Sequence, residues 1–267
     1  MLENQMTMLV ISCDKYSDLW DGHVHLLEKY WPDRGIRTMI VTDQAADKKY
    51  DRISVFAAGA EGEWSDRLKA ALEQVTTEYV FITLDDYFLT APVSNETMTT
   101  LISIMKKDGY DYIRLFIRPQ CPESAKVAHY SNFYEIDTTV RYSVNLFPSI
   151  WKKEFLLKTV AKSRNIWQYE VSLSQCATDE NVKCAASLND EFQIIDVVRQ
   201  GKIQRKATKL LSQEAVYCGN REIHSALDDA KYLVKVWAAH SLPKWIREPV
   251  RKLAIKMGVR IFSAEEK

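Results

Sequence analysis

Glycine is scarce in this chain, with 8 among 267 residues, and none falls between Ser12 and Asp21, directly after the first apolar run. A loop that wraps a triphosphate or a dinucleotide pyrophosphate needs glycine there, because the main chain must approach the phosphates closely. No G-x-G-x-x-G, no G-x-x-x-x-G-K-[ST] and no G-x-S-x-G occurs anywhere. Nicotinamide dehydrogenases, P-loop enzymes and nucleophile-elbow hydrolases are therefore disfavoured. Cysteine is equally uninformative as a scaffold. There are 5 (Cys13, Cys121, Cys176, Cys184 and Cys218), an odd number with no C-x-x-C pair. That argues against a disulfide framework or a cysteine-rich zinc site and fits a reducing compartment. Charge of one sign is also missing: Lys+Arg is 36 and Asp+Glu is 36. Chain-wide binding of nucleic acid, which relies on a basic excess, is not expected. No apolar run approaches the ~18 residues of a membrane span. The run Met8–Ile11 is too short for a signal-peptide core, so the expected location is cytoplasmic.

What is present is the mix of a soluble globular protein, 46% hydrophobic and 27% charged. Met8–Ile11, Thr38–Thr42, Ile53–Phe56 and Tyr79–Leu84 are short apolar runs of the buried-strand kind. Between them, Leu19–Trp31 and a stretch opening at Trp64-Ser65 carry apolar residues at helical spacing. Ser65 is the expected N-cap of the latter. This alternation predicts βαβ units and a largely parallel sheet. Further on, the pattern predicts a helix over Ser94–Lys107, a strand over Tyr110–Ile117, hairpin or loop over Arg118–Val144, a helix over Ser149–Lys162, and a loop passing into a helix over Asn165–Gln175. There is no internal repeat and no low-complexity linker. A catalytic region over 1–224 and a helical region over 225–267 are the expected divisions.

The sharpest local feature is Phe81-Ile-Thr-Leu-Asp85-Asp86-Tyr-Phe. Two carboxylates stand where a buried strand ends, and in open α/β sheets ligands bind at that edge. Adjacent carboxylates repel unless protons or a cation offset them. A hard divalent ion bridging a diphosphate does this, and Mg²⁺ takes only one or two protein carboxylates. An acidic loop with one Asp capping a turn is the plain alternative.

These pieces occur in an order: Ser12-Cys-Asp14-Lys-Tyr16, Thr42-Asp43, Trp64-Ser-Asp-Arg67-Leu, Leu84-Asp85-Asp86-Tyr87-Phe with Pro92 beyond, and Trp167-Gln-Tyr-Glu170. In that order and spacing the chain resembles the GT-A glycosyltransferases, especially bacterial enzymes that build capsule and O-antigen polysaccharides. The resemblance implies a GT-A-like, mostly parallel Rossmann-type α/β sheet flanked by helices, with a helical C-terminal tail. It implies a nucleotide-sugar donor, with UDP as the expected nucleotide, held by the loops at Asp14, Tyr16 and Asp43. Asp85 and Asp86 match the acidic motif that holds Mn²⁺ or Mg²⁺, with His224 as a candidate late metal ligand. The third acidic position of the common pattern falls on Tyr87, so metal-dependent and metal-independent chemistry both stay open. Glu170 matches the carboxylate that removes the acceptor hydroxyl proton in inverting members.

The residues also have readings of their own. A carboxylate within hydrogen-bond reach makes a sugar hydroxyl a better nucleophile, as Glu170 would. Trp167, three residues earlier, offers a stacking floor for a sugar acceptor. In the plain alternative Trp167 is core and Glu170 a helix-start charge. Asp190, also a candidate on the acceptor side, and Glu191 are competing bases or helix-start residues. Arg67 in a first helical turn either meets phosphate or pairs with Asp66 or Glu63. Trp64 is a hydrophobic anchor first and a stacking residue for the donor second.

The tail from Lys244 to Arg260 sets Lys244, Arg247, Arg251, Lys252, Lys256 and Arg260 against Glu248, with apolar residues interleaved. Such a helix suits peripheral contact with a membrane surface, or packs on the protein with its charges in water. The expected activity is sugar transfer from a nucleotide-diphosphate donor to a saccharide or lipid-linked saccharide acceptor, at or near the inner face of the cell membrane. A sugar nucleotidyltransferase and a non-catalytic carbohydrate-binding protein are the alternatives. The missing glycine loop weighs against the former.

Overall fold

The computed structural model describes residues 2–44, 47–116 and 132–230. The chain forms two compact units. The first takes in the chain to Ile195 and the segment Val216–Gly219; the second holds Asp196–Ala215 and the chain from Asn220.

In the first unit the strands are β1 (Met6–Ile11), β2 (Thr38–Thr42), β3 (Ile53–Ala57), β4 (Tyr79–Leu84), β5 (Tyr87–Leu89), β6 (Tyr112–Arg114), β7 (Phe133–Glu135), β8 (Ser149–Lys152) and β9 (Cys184–Ser187), and β10 (Ile194–Asp196) ends where the chain leaves it. The helices are α1 (Trp20–Tyr30), α2 (Trp64–Glu73), α3 (Asn95–Asp108), α4 (Lys153–Thr159) and α5 (Ile166–Asp179). Among the described residues the main sheet has eight strands in the order β3-β2-β1-β4-β8-β6-β9-β7, and β5 pairs with β10 beside it. β1 runs parallel to both β2 and β4, and β2 parallel to β3. β8 is antiparallel to its neighbours β4 and β6, which restores the common direction in β6 and in its parallel partner β9. β7 closes the row antiparallel to β9. The fold is mixed α/β with a large, mostly parallel central sheet flanked by helices, of the GT-A/Rossmann-like kind.

Every residue of β1 is buried, because both faces of the sheet are covered. Met6, Met8 and Val10 join one core with α1 and α3; Leu9 and Ile11 join the other with α2, α4 and α5. The helix ends follow local chemistry. The Ser94 hydroxyl accepts the Thr97 amide at the start of α3, and Gly109, at φ 70°, ends it in the left-handed turn that glycine adopts without strain. Asn165 caps α5 through the amides of Trp167 and Gln168.

Several sequence expectations need correction. Ser65 does not cap α2; Glu63 is the N-cap, and its amide donates to Asp66 Oδ2 at 2.8 Å. The Ser65 hydroxyl instead accepts the Arg164 amide at 2.7 Å and donates to the Lys162 carbonyl, fastening α2 to the loop before α5. The helix expected over Ser149–Lys162 is a strand followed by a helix. Ile150 and Trp151 go to opposite cores, a period of two that only a strand satisfies. The Cys184-Ala-Ala-Ser strand was not expected, since small residues carry little strand signal; they pack between β6 and β7. The expected strand over Tyr110–Ile117 is shorter, and Ile117 lies outside the described residues, as do residues 118–131 of the expected hairpin.

In the second unit, β11 (Val198–Arg199) and β12 (Lys202–Ile203) form a hairpin, and α6 (Thr208–Gln213) follows. Helical turns cover 226–230, where the Ser225 hydroxyl accepts the Asp228 amide and the Asp228 carboxylate accepts the Ser225 amide. The basic tail from Lys244 to Arg260 lies outside the described residues.

Candidate donor and acceptor site

β1, β2, β3, β4, β6 and β9 all point their C-terminal ends to one edge of the sheet. The strand order reverses between β1 and β4, the position where open α/β sheets leave a crevice for ligands. The predicted residues Asp14, Asp43, Asp85, Asp86 and Asp190 all lie just beyond strand ends on this edge.

Asp85 leaves β4 with its amide donating to the Ile11 carbonyl at 3.3 Å, so the tips of β1 and β4 are stitched together. It is buried, at 7% exposure. Its Oδ2 accepts a hydrogen bond from the Ser12 hydroxyl, and Ser12 in turn accepts the indole N–H of Trp20 at 2.7 Å. A charged acceptor that takes such a bond is held in one orientation. Asp85 is thus an anchored carboxylate, and half-buried Asp86 is the more open of the two. Ser12 and Trp20 escaped sequence reasoning, because nothing marks a serine at a strand end or an indole in the next helix as partners of a residue some 70 positions away.

Asp43 ties the first two strand exits. Its Oδ1 accepts the Asp14 amide at 2.6 Å, the Gln44 amide at 3.1 Å and the Thr42 hydroxyl at 3.2 Å. Burial works against its ionisation, but these donors outweigh burial and hold its pKa below the ordinary aspartate value. Tyr16 closes the turn that follows β1, its amide donating to Cys13 at 2.9 Å. The Cys13 thiol is pushed up, by burial first and then by the charges of Asp85 and Asp43. The Tyr16 main chain and the charge of Arg67 oppose that shift, which places the Arg67 guanidinium within electrostatic reach of this acidic corner. Arg67 Nη1 also donates to the Gly62 carbonyl at 3.3 Å. Its alternative pairing with Asp66 or Glu63 is not among the described ion pairs, although, after the hydrogen bond from the Ser163 hydroxyl, its charge helps to hold the Asp66 pKa down. Trp64 is an anchor: it is buried, with its ring 4.7 Å from that of Tyr169.

Tyr169 belongs to α5, so this contact and the Ser65–Arg164 bond bring the start of α5 to the same edge as the start of α2. Trp167 stands in the first turn of α5 at 48% exposure, and half-buried Glu170 follows one turn on. An exposed indole is not the core residue of the plain alternative. After β9, Asp190 takes a left-handed φ of 53° in a turn, so neither it nor Glu191 starts a helix. The Ser187 hydroxyl donates to Glu191 Oε1. Burial first, then the charge of Asp190, pushes the Glu191 pKa up.

His224 belongs to the second unit. There it is buried, with Nε2 3.0 Å from the Arg199 carbonyl and Nδ1 3.7 Å from Asp229. Both ring nitrogens thus face groups of that unit. Among the described residues no group of three or more His, Cys, Asp and Glu has the arrangement of a metal cage. The donor set at the β4 tip is two carboxylates, one already holding a hydroxyl. That set fits a hard cation carried mainly by diphosphate oxygens and water, and not a resident site built wholly from protein.

A scan against protein-family models finds no match to this chain, and a search of curated proteins finds none either. Its fold is similar to solved structures. The crystal structure of S. aureus TarS superposes with a TM-score of 0.50 at 12% identity, over 88% of this chain and 44% of that one. The structure of S. aureus TarS 1–349 gives 0.48 at 12% identity, over 69% and 58%. The bifunctional IspDF from Campylobacter jejuni gives 0.43 at 17% identity, over 72% and 52%. The chain spans about half the length of the solved structures it matches. At 12% identity the likeness to the first of these shows the fold, a GT-A-like α/β sheet, and nothing finer.

Proposed function

We propose that this chain is a glycosyltransferase that moves a sugar from a nucleoside-diphosphate donor to a saccharide or lipid-linked saccharide acceptor, as in the synthesis of surface polysaccharides. The observation that carries the reading is the anchored Asp85–Asp86 pair at the reversal point of the sheet, with the Asp43–Asp14 clamp beside it. The GT-A-like fold supports it.

The nucleoside lies over the exits of β1 and β2, where Asp14, Tyr16 and Asp43 present main-chain and carboxylate groups. The diphosphate lies over the tip of β4. Asp86, with Asp85 behind it, would hold a Mn²⁺ or Mg²⁺, and such an ion would offset negative charge on the diphosphate. Arg67 adds positive charge from the same side. Ser12 and Trp20 keep Asp85 from turning away, so its position is set before the donor arrives. Trp167 offers its exposed face to the acceptor. Glu170 takes the proton from the attacking hydroxyl as that oxygen bonds to the sugar carbon and the bond from this carbon to the diphosphate breaks; this single displacement inverts the sugar carbon. Asp190 lies on the acceptor side, past β9.

A sugar nucleotidyltransferase would need a glycine cradle after β1. The chain there continues from Cys13 into a tight helical turn over Asp14–Leu19 that contains no glycine. No helix among the described residues is long and apolar enough to cross a membrane. Work in the cytoplasm, with the basic tail resting on the inner face of the cell membrane near a lipid-linked acceptor, is part of the same proposal. The test is a panel of UDP-, GDP- and dTDP-sugars, each with Mn²⁺, Mg²⁺ or chelator, read for slow donor hydrolysis. At least one donor should be hydrolysed. Hydrolysis of none, together with binding of none, would refute the transferase reading.

A further inference from the structure

The chain enters the first unit a second time. After α6 the segment Val216–Gly219 returns to it, and the chain leaves again at Asn220. Left-handed residues frame this short segment: Ala215 before it has φ 51°, and Gly219 at its end has φ 65°. Alanine takes that conformation at a cost, which persists where surrounding contacts hold the chain in place. Between the two, burial alternates as in an extended strap. Cys218 is buried and Val216 half-buried, while Tyr217 between them is exposed.

The strap lies against the two pieces of chain that follow β1, and glycine marks both contacts. A Cβ at Gly22 in α1 would overlap Val216 Cγ1 and stand 3.0 Å and 3.1 Å from two ring carbons of Phe88. A Cβ at Gly219 would stand 2.5 Å from Asp18 Oδ2 and 3.2 Å from Asp18 Cβ. No other described glycine would bring a Cβ within 3.0 Å of a neighbour. A residue without Cβ is what lets main chain come this close. In a chain with few glycines, these two stand where the strap meets α1 and the helical turn Asp14–Leu19.

Both contacts back the donor site. Asp18 lies in the same turn as Asp14 and Tyr16, the residues given to the nucleoside. Two residues before Gly22 in α1 is Trp20, whose indole N–H donates to Ser12 Oγ at 2.7 Å, and Ser12 donates to Asp85. Phe88, fully buried in β5, is two residues past Asp86. Val216 therefore packs where α1 meets β5, and Gly219 packs on the turn.

Resting on the transferase reading, we infer that the strap Val216–Gly219 is a positioning element of the donor site. Packed on Asp18, Gly22 and Phe88, it holds the Asp14–Leu19 turn and α1 in the arrangement that accepts the nucleotide. Through Trp20 and Ser12 it also holds the Asp85 carboxylate. Val216 and Gly219 act through these groups and not on the nucleotide itself. A turn already in its binding geometry loses less freedom when the ligand arrives. A loosened turn lowers the apparent affinity by the fraction of molecules that still hold it correctly.

The test is calorimetric titration of the full chain with UDP, GDP and dTDP in the presence of Mn²⁺, carrying the tightest of the three forward. The proteins are wild type, Val216→Ala, Gly219→Ala and Val160→Ala. The last removes the same atoms as Val216→Ala from a buried position in the other core. The Kd should rise about tenfold in both strap variants, as when about one molecule in ten holds the turn correctly, and stay at the wild-type value in Val160→Ala. Coupling is reciprocal, so bound nucleotide should slow hydrogen exchange at the amides of Tyr217, Cys218 and Gly219 in wild type. Strap variants that fold and bind like wild type, whatever their loss of stability, make the strap a structural brace only and overturn the proposal, with the donor reading intact. Equal weakening in Val160→Ala overturns it as well. Where neither strap variant folds, exchange on wild type decides: no protection of these amides by bound nucleotide overturns the proposal. Wild type that binds none of the three nucleotides removes the transferase reading, and the positioning role with it.

Discussion

His23 in α1 should make this protein sensitive to mild acid. The residue is buried against Phe88, with ring centroids 6.0 Å apart; the main chain of Asp85 lies beside its ring, but among the described residues no hydrogen bond of good geometry reaches either nitrogen. Burial lowers its pKa from 6.5 to about 4; the Asp85 main chain beside it favours the proton, and the charge of Arg34 opposes it. The folded pKa is depressed, so the unfolded chain binds the proton more readily. Stability from this site is complete above pH 6.5 and is lost as pH falls, down to about pH 4. One pKa unit is about 1.4 kcal/mol, so the full loss is about 3 kcal/mol, of which about 2 kcal/mol is gone by pH 5. That is a large share of the margin of an ordinary domain. The assay is urea unfolding at pH 7.5, 6.5, 5.5 and 5.0 on wild type and on His23→Leu, which keeps the packing and removes the titration. Carboxylates titrate in both proteins, so the difference between the two slopes isolates His23. Wild type should lose about 2 kcal/mol more than the variant between pH 7.5 and 5.0. Parallel slopes would refute a neutral, buried histidine at this position.

Two further outcomes follow from particular contacts. A Cβ at Gly22 would lie 2.3 Å from Val216 Cγ1 and 3.0 Å from the Phe88 ring; Gly22→Ala should therefore destabilise the protein by roughly 1–3 kcal/mol in chemical denaturation, despite alanine's better helix propensity. Glu170→Gln should bind donor normally in calorimetry while its transfer rate falls by roughly 10²–10⁴; wild-type turnover would reassign the base, with Glu191 next in line.

The fold was readable in advance where a run of residues had one periodicity. Met8–Ile11, Thr38–Thr42 and Tyr79–Leu84 are apolar apart from threonines because both their faces are covered, and they fell on strands as expected. Reading failed where two periods met or where size replaced hydrophobicity. Ser149–Lys152 hides a period of two in front of a helix, and Cys184–Ser187 is a strand made of small residues. At the site, the positions after strand ends were legible, because turn and charge residues stand out there. Their partners were not. The Ser12 bond to Asp85 and the stacking of Phe116 on Phe147 depend on which strands are neighbours, and that is a property of topology rather than of any local segment. Trp64 and Trp167 show the same limit from the other side: two similar residues at helix starts, one buried against Tyr169 and the other exposed.

The most direct measurement is the thermal shift and calorimetric titration of UDP with and without Mn²⁺, on wild type and on Asp85→Ala and Asp86→Ala. At ligand a hundredfold above its dissociation constant, wild type should gain about 2.7 kcal/mol, a rise of roughly 5 °C or more in melting temperature, and both variants should lose that gain. A wild-type protein that shows no shift with any nucleoside diphosphate, with metal or without it, would contradict a pyrophosphate grip at the tip of β4.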